Sequence, residues 1–86
     1  MARRAAVVAA ASGLHARPAV LFCEAVARSG AAVRITNQAG STADAASILG
    51  VLTLGVERGQ RVVLDGDDEG VLDALAAMLE SDLDKL

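Results

Sequence analysis

The chain has 86 residues, which is enough for one domain, residues 1–86, near the lower size limit for a self-sufficient hydrophobic core. Apolar residues make up 53% and the formal net charge is −3, so the sequence lacks the basic, aromatic-rich face typical of nucleic-acid binding. The single cysteine, Cys23, excludes an internal disulfide and a cysteine-rich zinc site. Its apolar neighbours predict a buried, inert thiol. A free cysteine is typical of cytoplasmic proteins, and we expect that location. The sequence predicts no metal or cofactor site.

The N-terminus superficially resembles the start of a signal peptide, with Arg3 and Arg4 followed by an Ala/Val run. The apolar run is short, however, and His15 and Arg17 interrupt it. No segment reaches the roughly 18 to 20 apolar residues that span a bilayer. We therefore expect neither export nor membrane insertion.

The first part of the chain predicts a strand, a loop and a helix. Residues 3–10 centre on two valines and are followed by Ser12 and Gly13, which is typical of a short strand entering a loop. A helix is predicted over residues 16–29, with Gly30 as its stop signal. Its predicted core positions are Ala19, Phe22, Cys23 and Val26.

The middle of the chain predicts two strands and a short helix. Residues 32–36 alternate apolar and polar side chains, as a half-buried antiparallel strand does. Residues 41–44 have few large apolar side chains and are predicted to pair back onto that strand at the sheet edge. Residues 47–54 predict a helix of two turns that Gly55 ends.

The last part of the chain predicts one more strand and one more helix. Residues 61–65 form the strand, and Asp67 or Asp68 can cap the helix that follows. Its predicted core stripe is Leu72, Leu75, Leu79 and Leu83, flanked by Val71 and Met78. The element order is therefore βαββαβα. It favours an α+β open-faced β-sandwich, a four-stranded antiparallel sheet with three helices on one face.

Residues 13–19, Gly-Leu-His-Ala-Arg-Pro-Ala, hold the only histidine and the only proline within four residues. Pro18 favours a helix start, so His15 is predicted to lie beside the unpaired N–H groups and positive dipole end of that helix. Arg17 adds a guanidinium to this anion-binding surface. The surroundings favour a neutral imidazole suited to phosphoryl transfer, although an ordinary capping or half-buried histidine is the alternative.

These seven residues resemble the active-site signature of the HPr family, the histidine phosphocarriers of the bacterial phosphotransferase system. Residues 47–55, Ser-Ile-Leu-Gly-Val-Leu-Thr-Leu-Gly, resemble the regulatory-serine helix of the same family. The separation of the two motifs, the chain length and the element order agree with the family from end to end. The family also has the βαββαβα fold that the periodicity predicts.

The resemblance implies that His15 is phosphorylated on Nδ1 by enzyme I, which draws on phosphoenolpyruvate. His15 would pass the group to IIA domains of sugar permeases, so the protein would be a stoichiometric carrier and not an enzyme. Arg17 would pair with the phosphoryl oxygens, and the N–H groups around Ala16 and Arg17 would receive them. Ser12 occupies the position of a short polar residue near the histidine in the family, which implies a hydrogen-bonding role at the phosphate. Ser47 matches a serine that an ATP-dependent kinase phosphorylates in some members.

The helix at residues 47–54 is apolar nearly all round and too short to bury every side. With Val51 and Leu54 toward the core, the side chains predicted to protrude as a partner-docking patch are Ile48, Leu49 and Leu52, joined by Val20 from the first helix. Coverage by a neighbouring loop is the alternative. We expect a monomer, because a shuttle must expose His15 to successive partners.

Two other functions stay open at this point. One is a carrier in a regulatory, nitrogen-related phosphorelay, which the sequence does not separate from sugar transport. The other is a module that binds phosphate or small anions without covalent modification.

Overall fold

The computed structural model describes residues 1–85 and contains the predicted sequence of strands and helices. The elements are β1 (Ala2–Val7), α1 (Ala16–Ser29), β2 (Val33–Thr36), β3 (Thr42–Asp44), α2 (Ile48–Thr53), β4 (Arg61–Gly66), α3 (Glu69–Leu79) and a final 3-10 turn at Leu83–Lys85. The bounds of α1 agree with the prediction. Gly30 ends it with a φ of 71°, a left-handed conformation that glycine adopts without steric strain.

The four strands form one antiparallel sheet in the order β1-β4-β2-β3. β4 is a central strand: it pairs with β1 along its whole length, from Val7 opposite Arg61 to Ala2 opposite Gly66, and with β2 on its other side. The three-residue β3 pairs only with β2 and is the sheet edge, as its weak apolar pattern predicted. The α+β open-faced sandwich is confirmed.

One face of the sheet carries the core, and the helices cover it. Val62 and Leu64 of β4 are fully buried, as is Ile35 of β2, because alternate side chains of a strand share one face. Phe22 of α1, the only aromatic residue, is buried among them. On the opposite face, Arg3 lies directly across from Asp65 and its Nε donates to Oδ1 at 2.8 Å.

The single cysteine lies in this core. Cys23 is a free thiol with 2% of its surface exposed, which confirms that it is buried. Burial raises the pKa of the Cys23 thiol, and the negative charge of Asp44 acts in the same direction. No helix within residues 1–85 has the length and apolarity needed to cross a bilayer.

The predicted first strand was too long at its C-terminal end. β1 ends at Val7 and not at residue 10, because the regular β1–β4 pairing is lost at the next pair, where the Val8 carbonyl accepts from Gly59 and not from Gln60 opposite it. The Val8 N–H donates to the Gln60 carbonyl at 3.0 Å, and the Ala9 N–H donates to the Leu79 carbonyl at 3.0 Å. Residues 8–10 therefore stay bound to the fold while they turn toward the loop that holds His15.

The predicted last helix was also too long. α3 is capped by the Asp68 carboxylate, which accepts from the Val71 N–H at 3.1 Å, but it ends at Leu79. The Ser81 hydroxyl donates to the Met78 carbonyl at 2.7 Å and competes with continued helix. Leu83 consequently belongs to the separate 3-10 turn, where it is still fully buried in the core.

Candidate functional site

His15 is the N-cap residue of α1, with extended backbone angles of φ −131° and ψ 168°. Its side chain makes no capping hydrogen bond to the helix, so the imidazole is not used as an ordinary cap. Pro18 lies in the first helical turn, where a residue without an N–H group breaks no intrahelical bond. The helix therefore directs its unpaired N–H groups and positive dipole end toward the surroundings of His15.

Ala16 has a φ of 47°, and it is the one residue other than glycine with a positive φ in residues 1–85. A side chain in this region costs on the order of 1 to 2 kcal/mol. The strained residue thus lies between His15 and Arg17. Ala16 itself is exposed.

The imidazole makes one side-chain contact that the sequence motif does not contain. Nε2 of His15 lies 2.9 Å from Oε2 of Glu57, and 34% of the histidine side chain is exposed. A carboxylate can only accept a hydrogen bond, so this geometry requires the hydrogen to be on Nε2. In the neutral ring Nδ1 then carries a lone pair. Within residues 1–85, Nδ1 has no hydrogen-bond partner.

Glu57 reaches the histidine because two loops come unusually close. Gly13 has a φ of 78°, and a Cβ at this position would be 2.7 Å from the Val56 carbonyl oxygen. That carbonyl accepts from the Leu14 N–H at 2.9 Å. Residues 13–15 therefore pack directly on residues 56 and 57. The motif contains the glycine that permits this approach, but nothing in the motif names the residue on the other side.

Arg17 is exposed and takes part in none of the ion pairs formed within residues 1–85. Its guanidinium is therefore available to an external anion beside the N-terminus of α1. This placement agrees with the predicted position of Arg17, while its action on a phosphoryl group stays a prediction.

Ser12 is bound to the C-terminal turn and has no hydrogen bond to the His15 side chain. Its backbone N–H donates to Oδ2 of Asp84 at 2.8 Å, and its hydroxyl donates to the same oxygen at 3.0 Å. Sequence reasoning did not identify Asp84, because its contact with Ser12 joins residues 72 positions apart. The structure thus makes Ser12 a link between the His15 loop and the C-terminal turn.

Ser47 is the N-cap of α2, and its hydroxyl oxygen accepts from the Gly50 N–H at 3.0 Å. The side chains that follow it divide as predicted: Val51 is fully buried and Leu49 is 74% exposed. The predicted patch as a whole is exposed at Val20 (37%), Ile48 (42%), Leu49 (74%) and Leu52 (36%). Docking through this patch and phosphorylation of Ser47 stay predictions.

Comparisons with known proteins agree with this geometry. The family model "PTS HPr component phosphorylation site" matches residues 2–81. The phosphocarrier protein HPr of Streptomyces coelicolor is 43% identical, with 100% of this chain and 96% of that protein covered. The phosphocarrier protein NPr of Proteus mirabilis is 32% identical over 85% of this chain and 84% of that protein.

Solved structures agree as well. The HPr crystal structure from Thermoanaerobacter tengcongensis superposes with a TM-score of 0.86 at 30% identity, covering 94% of this chain and 93% of the other. HPr from Bacillus anthracis superposes with a TM-score of 0.85 at 32% identity, covering 91% and 95%. The family match over nearly the whole chain, the 43% identity and the shared fold lead to one conclusion. The chain belongs to the HPr family of phosphocarriers of the phosphotransferase system.

Proposed function

We propose that this protein is a stoichiometric phosphoryl carrier that accepts a phosphoryl group on Nδ1 of His15 and donates it onward. The donor is enzyme I charged by phosphoenolpyruvate, and the acceptors are IIA domains of sugar permeases. The observation that carries the proposal is the state of the imidazole. Its Nε2 is held by Glu57, and its Nδ1 is without a partner in residues 1–85 beside the N-terminus of α1.

The surroundings of His15 suit an arriving phosphoryl group. The first N–H groups of α1, including those of Ala16 and Arg17, have no intrahelical acceptors and favour negative charge. Arg17 is exposed and can add a charge-assisted hydrogen bond with forked geometry. Attack by the Nδ1 lone pair on phosphorus forms the P–N bond, and the electron pair of the broken bond leaves with the donor. The same steps in reverse deliver the group to the next protein.

The proposal is tested by incubating the protein with phosphoenolpyruvate and enzyme I and measuring the intact mass. We expect a gain of one phosphoryl group per chain in the wild type and none in His15→Ala. Adding a IIA domain should return the carrier to its original mass. A His15→Ala protein that still gained an acid-labile phosphoryl group would place the acceptor elsewhere. An unmodified wild type that binds inorganic phosphate would support the non-covalent anion-binding module instead.

The exposed patch of Val20, Ile48, Leu49 and Leu52 is a candidate docking surface for these partners. Leu49 is the most exposed of its four side chains, and α1 and α2 pack against each other, so the patch adjoins the helix that begins at His15. We propose that enzyme I and the IIA domains dock here on a monomer in the cytoplasm. Ser47 at the N-cap of α2 is the position at which a kinase would add charge to the same surface.

A regulatory phosphorelay is the second candidate function. It is favoured by the matches to phosphocarriers named NPr, at 31% and 32% identity. The sugar-transport proposal has the stronger support, since the HPr of Streptomyces coelicolor matches at 43% over the whole chain. Transfer rates to a IIA domain of a sugar permease and to a regulatory acceptor would separate the two candidates.

A further inference from the structure

We propose that Glu57 is a positioning residue for phosphoryl transfer, which selects the reactive tautomer of His15 and keeps the hydrogen on Nε2 throughout the reaction. This inference rests on the proposed function, because it concerns transfer through His15. The observation behind it is the 2.9 Å contact between Nε2 of His15 and Oε2 of Glu57.

Glu57 is held in place by its own loop. Its backbone N–H donates to the Gln60 side-chain oxygen at 2.8 Å, and its carbonyl accepts from the Gln60 N–H at 3.1 Å. The loop is in turn bound to the N-terminal segment, where the Gly59 N–H donates to the Val8 carbonyl at 2.8 Å. The preceding residue, Val56, is buried and accepts from Leu14. The backbone that carries the Glu57 carboxylate is therefore held in place by hydrogen bonds.

The chemistry of the ring makes this contact consequential. A neutral imidazole has one nitrogen with hydrogen and one with a lone pair, and only the second can attack phosphorus. A carboxylate at Nε2 selects the tautomer in which Nδ1 is the nucleophile, since it accepts a hydrogen bond and donates none. The wrong tautomer would place a hydrogen at the position of attack and set a lone pair against a negative oxygen.

The contact also acts after the P–N bond has formed. Nδ1 gives its electron pair to phosphorus while the hydrogen on Nε2 remains, so the phosphorylated ring carries a positive charge. Glu57 stabilises that charge because it lies against the N–H group. When the phosphoryl group leaves, the P–N electron pair returns to Nδ1 and the ring is neutral again. No proton has to be exchanged with solvent in either direction, so the transfer steps balance at the histidine itself.

The first arm of the test measures the tautomer by nuclear magnetic resonance. The two ring nitrogens of His15, the only histidine, resonate far apart in a single tautomer and converge when two tautomers mix. At a pH where the ring is neutral we expect nearly pure Nε2–H tautomer in the wild type and a smaller excess of it in Glu57→Gln, whose amide can accept from Nε2–H but can also donate to a bare nitrogen. Glu57→Ala should move the nitrogens toward the mixture found in free imidazole. Asp67→Asn, which neutralises an exposed carboxylate just beyond the far end of β4, is the matched control and should match the wild type.

The second arm measures transfer from phosphorylated enzyme I. Both side chains are partly exposed, so we expect Glu57→Ala to lower the maximal transfer rate about two- to five-fold, the range of partly exposed ion pairs. The Michaelis constant for enzyme I should change little, since Glu57 acts on the ring and not on docking. Glu57→Gln should fall between the wild type and Glu57→Ala, because it keeps the hydrogen bond and loses the charge.

The outcomes separate the two proposals. An unchanged tautomer and an unchanged maximal rate in Glu57→Ala would overturn the role of Glu57 while leaving phosphorylation of His15 intact. A wild type that accepts no phosphoryl group would overturn the proposed function. The tautomer comparison would then still decide whether Glu57 orients His15. An effect confined to the Michaelis constant would make Glu57 a docking residue and refute its positioning role.

Discussion

Substituting Gly13 by alanine should destabilise the fold and detach Glu57 from His15 in one step. Gly13 has a φ of 78°, and the added Cβ would lie 2.7 Å from the Val56 carbonyl oxygen and 3.0 Å from the Cα of Glu57. Both neighbours are backbone atoms, so neither can rotate away. The loops must separate to make room, and they are the two loops that bring the carboxylate to the imidazole.

Two contributions set the size of the effect. Alanine at a positive φ costs about 1 to 2 kcal/mol, and forcing an extra carbon into a closely packed position adds about 1 to 3 kcal/mol. The free energy of unfolding should therefore fall by about 2 to 5 kcal/mol. For a domain of this size that corresponds to a decrease in Tm of roughly 10 °C or more.

Thermal melting followed by circular dichroism measures this change, and Gly40→Ala is its control. Gly40 has a φ of 91° but no atom lies within 4 Å of its added Cβ, so that variant experiences the backbone strain without the collision. We expect Gly13→Ala to be the less stable of the two by about 1 to 3 kcal/mol. Equal melting temperatures would show that the two loops are not in close contact. A Gly13→Ala protein that keeps the wild-type His15 tautomer would refute the link between this contact and Glu57.

The remaining predictions concern the site, its surface and the core. Arg17→Ala should leave Tm nearly unchanged but slow phosphoryl transfer about ten- to a hundredfold, since a forked charge-assisted bond is lost. Arg17→Lys should restore only part of the rate, and equal rates in the wild type, Arg17→Lys and Arg17→Ala would remove Arg17 from the mechanism. Leu49→Asp should weaken the binding of transfer partners by about 1 to 3 kcal/mol without unfolding the domain. Leu75→Ala in the core should lower the free energy of unfolding by about 2 to 5 kcal/mol, and a comparable loss of Tm in both variants would make Leu49 structural. The Cys23 thiol should be alkylated far more slowly in the folded protein than in urea at pH 8, and rapid modification of the folded protein would contradict its burial. Because its folded pKa is raised, the unfolded chain loses the thiol proton first, so stability should decline as the pH rises through the ordinary thiol value of 9.0.

Local patterns in the sequence were sufficient for the fold. The apolar spacing and the terminal glycine of α1 define its bounds, and the alternation in β2 predicts which side chains enter the core. The errors occur where a hydrogen bond outside the regular helix or strand pattern competes with that pattern. Ala9 donates to the Leu79 carbonyl beyond the end of β1, and the Leu72–Leu83 stripe is divided by Ser81, whose hydroxyl donates back to the Met78 carbonyl. In both cases the apolar residues were correctly predicted to be core, although the element bounds were not.

The candidate site at His15 was predictable from adjacent residues, but its supporting contacts were not. Helix start, histidine and arginine lie within a few positions of one another, so a short motif contains them all. Glu57 lies 42 residues away from His15 in the chain, and its approach depends on the packing of Gly13 against Val56. The sequence contains several exposed acids with similar local surroundings. Only the folded loops distinguish this one from the others.

Carboxylates reach the His15 loop from two distant parts of the chain, Glu57 at the imidazole and Asp84 at Ser12. A site that only retains an anion needs only positively charged groups around it. A carrier must also release the group that it accepts. In the proposed mechanism Arg17 and the N-terminus of α1 would lower the free energy of the phosphorylated state, while the two carboxylates would oppose the charge of the phosphoryl oxygens. Both carboxylates are solvent-exposed, so each contribution is screened to about 1 kcal/mol or less. Small opposing contributions of this kind would keep acceptance and donation close in free energy. Glu57 would contribute to both sides, since its charge opposes the phosphoryl oxygens and its contact with Nε2–H stabilises the positive ring.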